Sequence, residues 1–148
     1  MNAEAVELAA LICRKFEGLY LKPYLCPAGV WTIGYGATTY EDGRPVRPTD
    51  TPITRERAEA LLLSDLRTKR LPAVLVMCPG VDTYGRLAAM LDFSFNLGNG
   101  ALKASTLRKR VNAGDWAAVR VELMKWVRGG GRVLPGLVKR RTAERALI

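Results

Sequence analysis

The chain of 148 residues contains no histidine. Ser-His-Asp hydrolases, Cys-His peptidases and zinc hydrolases with histidine ligands all use an imidazole nitrogen as base, proton shuttle or ligand. These three classes are therefore excluded. Acid–base chemistry in this protein has to come from the side chains of Asp, Glu, Cys, Tyr or Lys.

Cysteine is also scarce, with Cys13, Cys26 and Cys78 as the three instances and no Cys-x-x-Cys pair. A metal site built from cysteine alone needs four ligands. Disulfide bonds are not expected in a reducing compartment. We therefore expect three free thiols, no bound metal and no other cofactor.

Long apolar runs are absent, since none approaches the roughly 18 residues that a membrane-spanning helix requires. At the start of the chain, Glu4 and Glu7 come before Arg14 and Lys15. This charge order is opposite to that of a signal peptide and is favourable for the dipole of a helix. We expect synthesis in the cytoplasm and no stable insertion into a membrane.

Negatively charged residues are few: the chain has 14 Asp and Glu residues against 23 Lys and Arg residues, which gives a net charge of +9. Such a charge indicates a polyanionic partner, for which nucleic acid, an anionic membrane and an anionic cell wall all remain open. With 49% hydrophobic and 25% charged residues, the composition is that of a folded globular protein.

The periodicity of apolar residues predicts a first helix over 3–15 and a long helix over 55–76 that Thr54 caps. Between them, residues 18–43 are rich in glycine, aromatic and β-branched residues, which predicts a small sheet. Pro72 is expected to kink or end the long helix.

Four further helices are predicted in the second half of the chain. The first is capped by Asp82 and runs to Leu97, and the second starts at Ser105 or Thr106. The third is capped by Asp115 and covers Trp116–Val127, and the fourth runs from Pro135 to Leu147. Because strands and helices are segregated, the fold class is α+β. We expect one domain over 1–148, with a sheet lobe at 17–50, the long helix at 54–76 and a helical lobe at 80–148.

A candidate site lies where the first helix meets the sheet, at Glu17, Cys26 and Thr32. Glycoside hydrolysis needs a protonated carboxyl group and, on the opposite face, a group that attacks or activates water. Apolar neighbours such as Phe16 and Leu19 favour the protonated form of Glu17. A hairpin opposite the end of the helix would bring Cys26 and Thr32 across a cleft from Glu17.

The segment E-G-L-Y-L-K-P-Y-L-C-P-A-G-V-W-T resembles the catalytic segment of phage-type lysozymes, the endolysin muramidases of glycoside hydrolase family 24. The family pattern is Glu, eight residues, Asp or sometimes Cys, five residues, and Thr. The resemblance extends through F-S-F-N-L-G and the final G-L-V-K-R-R, so that it covers nearly the whole chain.

This resemblance implies a lysozyme-like fold, mostly helical with a small N-terminal antiparallel sheet and a C-terminal helical bundle. It also implies that Glu17 is the general acid, that Thr32 helps to hold a water molecule, and that Cys26 takes the place of a second carboxylate. If Cys26 acts as a base that activates water, the configuration at the anomeric carbon is inverted; if it attacks as a nucleophile, the configuration is retained. Both roles stay open for Cys26.

Phe95, Asn96 and Thr106 are the candidate substrate-binding residues, although core packing for Phe95 and capping for Thr106 are competing interpretations. Trp116 and Trp126 are expected to pack in the core. Arg140 and Arg141 could pair with Glu17 or hold the C-terminal lobe to the sheet, but a solvated basic face is the preferred interpretation.

By this resemblance the chain is an endolysin that hydrolyses the β-1,4 bond between N-acetylmuramic acid and N-acetylglucosamine in peptidoglycan. We expect a monomer that depends on a separate holin to leave the host cytoplasm and reach the cell wall. A lytic transglycosylase is the nearest alternative, because it needs one glutamate only. A basic nucleic-acid-binding domain and a non-catalytic wall-binding module are alternatives from other classes, although nucleic acid is not the expected partner.

Overall fold

A computed structural model describes all residues from Met1 to Ile148. It contains eight α-helices, a π-helical turn and two antiparallel strand pairs. In chain order the elements are α1 (Asn2–Phe16), β1 (Tyr20–Leu25), β2 (Trp31–Gly34), α2 (Arg55–Asp65), the π-helical turn (Leu66–Arg70), α3 (Leu71–Met77), α4 (Tyr84–Leu97), α5 (Asn99–Ala104), α6 (Thr106–Asn112), α7 (Trp116–Leu123), β3 (Arg128–Gly129), β4 (Arg132–Val133) and α8 (Pro135–Arg145).

The first helix buries one face against α4, and its buried residues include Val6, Ala9 and Cys13. Glu17 ends the helix, because its backbone is extended while its N–H still donates to the Cys13 carbonyl. The chain then leaves α1 directly into β1. The last turn of α1 therefore holds Glu17 at the junction of helix and sheet.

The sheet of the N-terminal lobe has two strands, β1 and β2, paired antiparallel. Tyr24 lies opposite Thr32, and the register shifts between Tyr20 and Tyr24. In the connecting turn Gly29 has a φ of 78°, a conformation that suits glycine. Because directly opposed residues project from the same face of a sheet, Tyr24 and Thr32 share one face.

The long helix is continuous from α2 through the π-helical turn to α3. Its predicted cap is confirmed, since the Thr54 hydroxyl accepts from the N–H of Arg57. Pro72 does not end the helix, which continues to Met77, and it comes just after a distorted turn. The preceding turn is widened, with the N–H of Leu71 donating to the Leu66 carbonyl five residues back.

The second half of the chain is a helical lobe around α4. Thr83, and not the expected Asp82, caps α4, because its hydroxyl accepts from Arg86 N–H. Gly98 ends α4 with a φ of 97°, in agreement with the sequence. Ser105 caps α6, which removes the capping explanation for Thr106.

The last two helices are shorter than predicted. The Asp115 cap of α7 is confirmed, but the helix ends at Leu123 instead of Val127, because a short β3–β4 hairpin follows. The final helix starts at Pro135 as expected and ends at Arg145. These ends lie in glycine-rich or terminal segments where side-chain periodicity carries little signal.

The main core lies between α1, α4 and the surrounding helices, and Trp116 and Trp126 pack against it. Trp126 makes an edge-to-face contact with the buried ring of Phe93, with centroids 5.2 Å apart. A smaller apolar cluster, built around Ile33 and Leu61, lies in the sheet lobe. None of the helices combines the length and the apolar character needed to cross a membrane. The mostly helical α+β fold with its small N-terminal sheet confirms the predicted fold class.

Candidate active site

The carboxyl group of Glu17 lies close to the backbone of Gly36, in the loop after β2. Gly36 has a φ of 88°, and a Cβ atom at this position would come within 3.4 Å of Glu17 Oε2. The same Cβ would lie 4.0 Å from the ring of Phe95. Glycine at position 36 therefore lets the carboxylate, the loop and Phe95 approach one another. The side chain of Glu17 remains 26% exposed.

Arg140 holds the other oxygen of this carboxylate, with its Nη1 donating to Glu17 Oε1 at 2.8 Å. The remaining donors of the guanidinium face Asp92, from Nε at 2.9 Å and from Nη2 at 2.7 Å. Only 4% of the Arg140 side chain is exposed. The expectation of a solvated basic face is wrong, because two carboxylates compensate the buried charge.

The neighbouring Arg141 is buried as well and donates to Glu144 at 2.7 Å and to Asn96 Oδ1 at 2.9 Å. Asn96 therefore faces the buried charges. Burial raises the pKa of Glu144 well above its usual value, and the nearby Asp92 raises it further. The second carboxyl oxygen of Glu144, Oε2, is buried without a hydrogen-bond partner, as are Nε and Nη1 of Arg141.

Asp92 is the central acceptor of this cluster, which we call the buried charge cluster: Glu17, Asp92, Arg140, Arg141 and Glu144. Burial alone would raise the pKa of Asp92, but the hydrogen bonds from Arg140 outweigh it and lower the pKa. The Cys13 thiol also donates to Asp92, at 3.2 Å. Burial, followed by the charge of Asp92, raises the pKa of Cys13, so that its thiol remains protonated.

Cys26 follows β1 at the start of the turn between the strands, and the buried Thr32 lies on β2. The pKa of the half-buried Cys26 thiol is lowered, chiefly by the nearby backbone N–H of Val30 and further by the N–H of Ala28 and the hydroxyl of Thr32. The Thr32 hydroxyl donates to the Val30 carbonyl at 2.9 Å.

Tyr24 lies on β1, near the end of the strand that Cys26 follows. Burial raises the pKa of its phenol, and the charges of Tyr20, Glu17 and Cys26 raise it further, so both candidate groups lie within electrostatic reach of this ring. Tyr24 is thus the strand partner of Thr32, and the charges that act on its phenol include those of Glu17 and Cys26.

A cleft continues from Gly36 between the sheet lobe and the long helix, and its lining includes Thr38, Asp65 and Phe95. Arg70 borders it and donates to Asp65 and to the Ser94 carbonyl. Phe95 thus lies in the cleft, in keeping with its proposed contact with substrate. Asn96 and Thr106 are not among the lining residues, and Thr106 is an exposed residue at the start of α6.

The sequence interpretation did not identify Asp92, the burial of Arg140 or the role of Glu144. One signal was available, because Asp92 is the only charged residue in the apolar run from Leu87 to Leu97 of α4. A carboxylate in such a run requires a buried partner. Arg140 and Glu144 follow each other at helical spacing on α8 and meet that need.

Comparison with known proteins agrees with this geometry. Residues 14–144 match the phage lysozyme family. An endolysin of Acyrthosiphon pisum secondary endosymbiont phage 1 is 40% identical over 147 residues, which cover 96% of this chain and 95% of the relative.

Two solved structures are also similar. An endolysin from Escherichia coli O157:H7 phage FAHEc1 superposes with a TM-score of 0.81 at 32% identity, covering 97% of this chain and 89% of that chain. The muramidase domain of SpmX from Asticaccaulis excentricus superposes with a TM-score of 0.79 at 30% identity, covering 94% and 92%. The chain therefore belongs to the phage lysozyme family, and it is an endolysin, an enzyme that degrades peptidoglycan in host lysis.

Proposed function

We propose that residues 1–148 form one catalytic domain that hydrolyses the β-1,4 bond between N-acetylmuramic acid and N-acetylglucosamine, without a cofactor. The observation that carries this proposal is the part-buried carboxyl group of Glu17, which accepts a hydrogen bond from Arg140 and lies against Gly36, a residue that lines the cleft. Glycoside hydrolysis requires such an oriented acid and a second group, a role that we assign to Cys26.

Glu17 is the general acid in this proposal. Its Oε1 accepts from Arg140, whereas its Oε2 has no hydrogen-bond partner within the protein. Oε2 is therefore the oxygen that carries the proton and delivers it to the leaving glycosidic oxygen. Because the hydrogen bond from Arg140 fixes the orientation of the Glu17 carboxyl group, the proton on Oε2 is always presented in the same direction.

Cys26 is the general base, and Thr32 holds the attacking water beside it. The hydrogen bonds that lower the pKa of Cys26 increase the thiolate fraction near neutral pH. The thiolate removes one proton from water as the water oxygen attacks the anomeric carbon. Glu17 protonates the leaving oxygen at the same time, and the sugar configuration inverts.

The test compares the wild type with Glu17→Gln on purified peptidoglycan, with release of new reducing ends as the readout. We expect a loss of about 10²- to 10⁴-fold in rate, the range typical of a general acid. Glu56→Gln is the matched control, because Glu56 is an exposed glutamate of α2. A fully active Glu17→Gln variant would contradict the assignment.

The same digests separate hydrolysis from transglycosylation. Hydrolysis leaves a reducing muramic acid end, whereas attack by the muramic 6-hydroxyl group leaves a 1,6-anhydro end. Mass spectrometry distinguishes them by one water molecule. If 1,6-anhydro ends are the main product, the enzyme is a lytic transglycosylase, and Cys26 does not activate water.

The cellular part of the proposal is a monomer that accumulates in the host cytoplasm, passes the inner membrane through a separate holin and acts on the wall. Its net charge of +9 supports attraction to an anionic wall. Expression with and without a holin tests the route, and light scattering tests the monomer. Lysis without a holin would contradict the proposed dependence.

A further inference from the structure

We propose that Tyr20 and Tyr24 form an aromatic surface beside Glu17 that stacks against an N-acetylhexosamine ring of the glycan. This inference rests on the proposed function and specifies how the same site binds its substrate. The family pattern around Glu17, Cys26 and Thr32 does not include these tyrosines. Their contacts in this chain are what assign them to the site.

The two rings contact each other on β1. Their centroids lie 4.0 Å apart with 30° between the planes. A regular strand places residues four apart about 13 Å from each other. The irregular register between Tyr20 and Tyr24 accompanies this close approach of the two rings.

Gly18 brings the pair next to the general acid. A Cβ atom on Gly18 would lie only 2.7 Å from Cε2 of Tyr20, so the ring of Tyr20 lies against the backbone directly after Glu17. At the other end, the Tyr24 phenol is within electrostatic reach of Glu17 and Cys26. The ring of Tyr20 thus lies beside the residue that follows the proposed general acid, and the ring of Tyr24 continues this surface along β1.

Neither ring contributes to the apolar clusters of the protein. Tyr20 is 47% exposed even though it contacts Tyr24 and Gly18. An aromatic pair that remains open to solvent offers an apolar face with polar edges. The pyranose ring of an amino sugar has a matching face of C–H groups, and its hydroxyl and acetamido groups stay free for hydrogen bonds.

The test measures binding separately from catalysis. In the Glu17→Gln background, binding to purified, insoluble peptidoglycan is measured by co-sedimentation for Tyr20→Leu, which keeps an apolar side chain but removes the ring. We expect the dissociation constant to rise about tenfold, and Tyr20→Phe to recover most of that loss. Tyr84→Leu is the matched control, because Tyr84 is a 54% exposed tyrosine at the start of α4.

Kinetics with an otherwise wild-type chain provide the second readout. Tyr20→Leu is expected to raise KM about tenfold while kcat falls much less, with an unchanged melting temperature. A KM equal to that of the wild type would overturn the inference, and so would an equal loss of binding in Tyr84→Leu. Full activity of Glu17→Gln would instead contradict the proposed function, so the two failures are distinguishable.

Discussion

The surroundings of Glu17 and of Cys26, the two proposed catalytic residues, are constructed differently. Glu17 is held by the buried charge cluster, in which Arg140 forms ion pairs with both Glu17 and the buried Asp92. Cys26 depends on its own turn, through the N–H groups of Val30 and Ala28 and the hydroxyl of Thr32. One side is thus supported by long-range contacts, and the other by neighbours within six residues.

This difference separates stability from reactivity. Removing a member of the buried charge cluster leaves an unpaired charge in the core, so the whole fold loses stability. A change in the turn at Cys26 alters the protonation of one half-buried thiol and little else. We therefore expect mutations on the first side to lower the melting temperature, and those on the second side to change rate and pH dependence.

Asp92→Asn is expected to have the largest effect on folding, because it removes the carboxylate that compensates Arg140 in the core. We expect a loss of about 3–5 kcal/mol in the free energy of unfolding at pH 7, measured by urea denaturation. The folded state lowers the pKa of Asp92, so its contribution is complete above the unfolded value of about 3.9. That contribution is lost as the pH falls from there through the folded pKa.

Asp82→Asn provides the control for this measurement. Asp82 also pairs with an arginine, but its side chain is 57% exposed, and such ion pairs contribute about 0–1 kcal/mol. Equal losses for Asp82→Asn and Asp92→Asn would show that burial does not distinguish the two ion pairs.

Cys26→Ala is expected to reduce the rate of peptidoglycan hydrolysis about 100-fold, because the water loses its base. The free energy of unfolding should change by less than about 0.5 kcal/mol, since the thiol is not part of the core. Cys26→Asp should keep substantial activity, because a carboxylate also accepts a proton from water. Full activity of Cys26→Ala would mean that the thiol has no part in the reaction.

The pH dependence of the rate should differ between the wild type and Cys26→Asp. A base works when deprotonated, so the wild-type rate rises as the pH increases through the lowered pKa of Cys26. Replacing the thiol, with a reference pKa of about 8.5, by a carboxyl group of about 3.9 moves this rise to lower pH. An unchanged acidic limb would contradict the assignment of Cys26 as the base.

Thr32→Val is expected to cause the smallest shift, because it removes one of several donors to Cys26. Without the hydroxyl the pKa of the thiol increases, and the acidic limb of the rate profile moves to higher pH. Thr32→Ser retains the hydroxyl and should restore the wild-type profile. Equal profiles for Thr32→Val and wild type would indicate that the backbone donors alone set the pKa.

Local patterns in the sequence predicted the fold class and the helix caps at Thr54 and Asp115. These features depend on neighbours in the chain. The pairing of Arg140 with Glu17 spans 123 positions, and a basic pair on a helix has the same appearance whether it faces solvent or the core. Its burial follows from the packing of α8 against α1 and α4.

The thiol of Cys26 illustrates the same limit at short range. The spacing of Glu17, Cys26 and Thr32 makes Cys26 a candidate but carries no information on its pKa. That pKa is lowered, with the backbone N–H of Val30 as the largest cause and that of Ala28 as a further one. Those donors belong to the backbone and are not encoded by residue type.

The π-helical turn at Leu66–Arg70 gives the long helix one more residue than a regular α-helix would place in the same axial length. Each residue of an α-helix rotates the chain by roughly 100°. The extra residue therefore determines which side of α3 faces α4, so that Val74 is buried while Val76 remains exposed. The number of residues between the two lobes is consequently fixed by helical phase, and insertions are better accommodated in the surface loop at 41–52 than within the connecting helix.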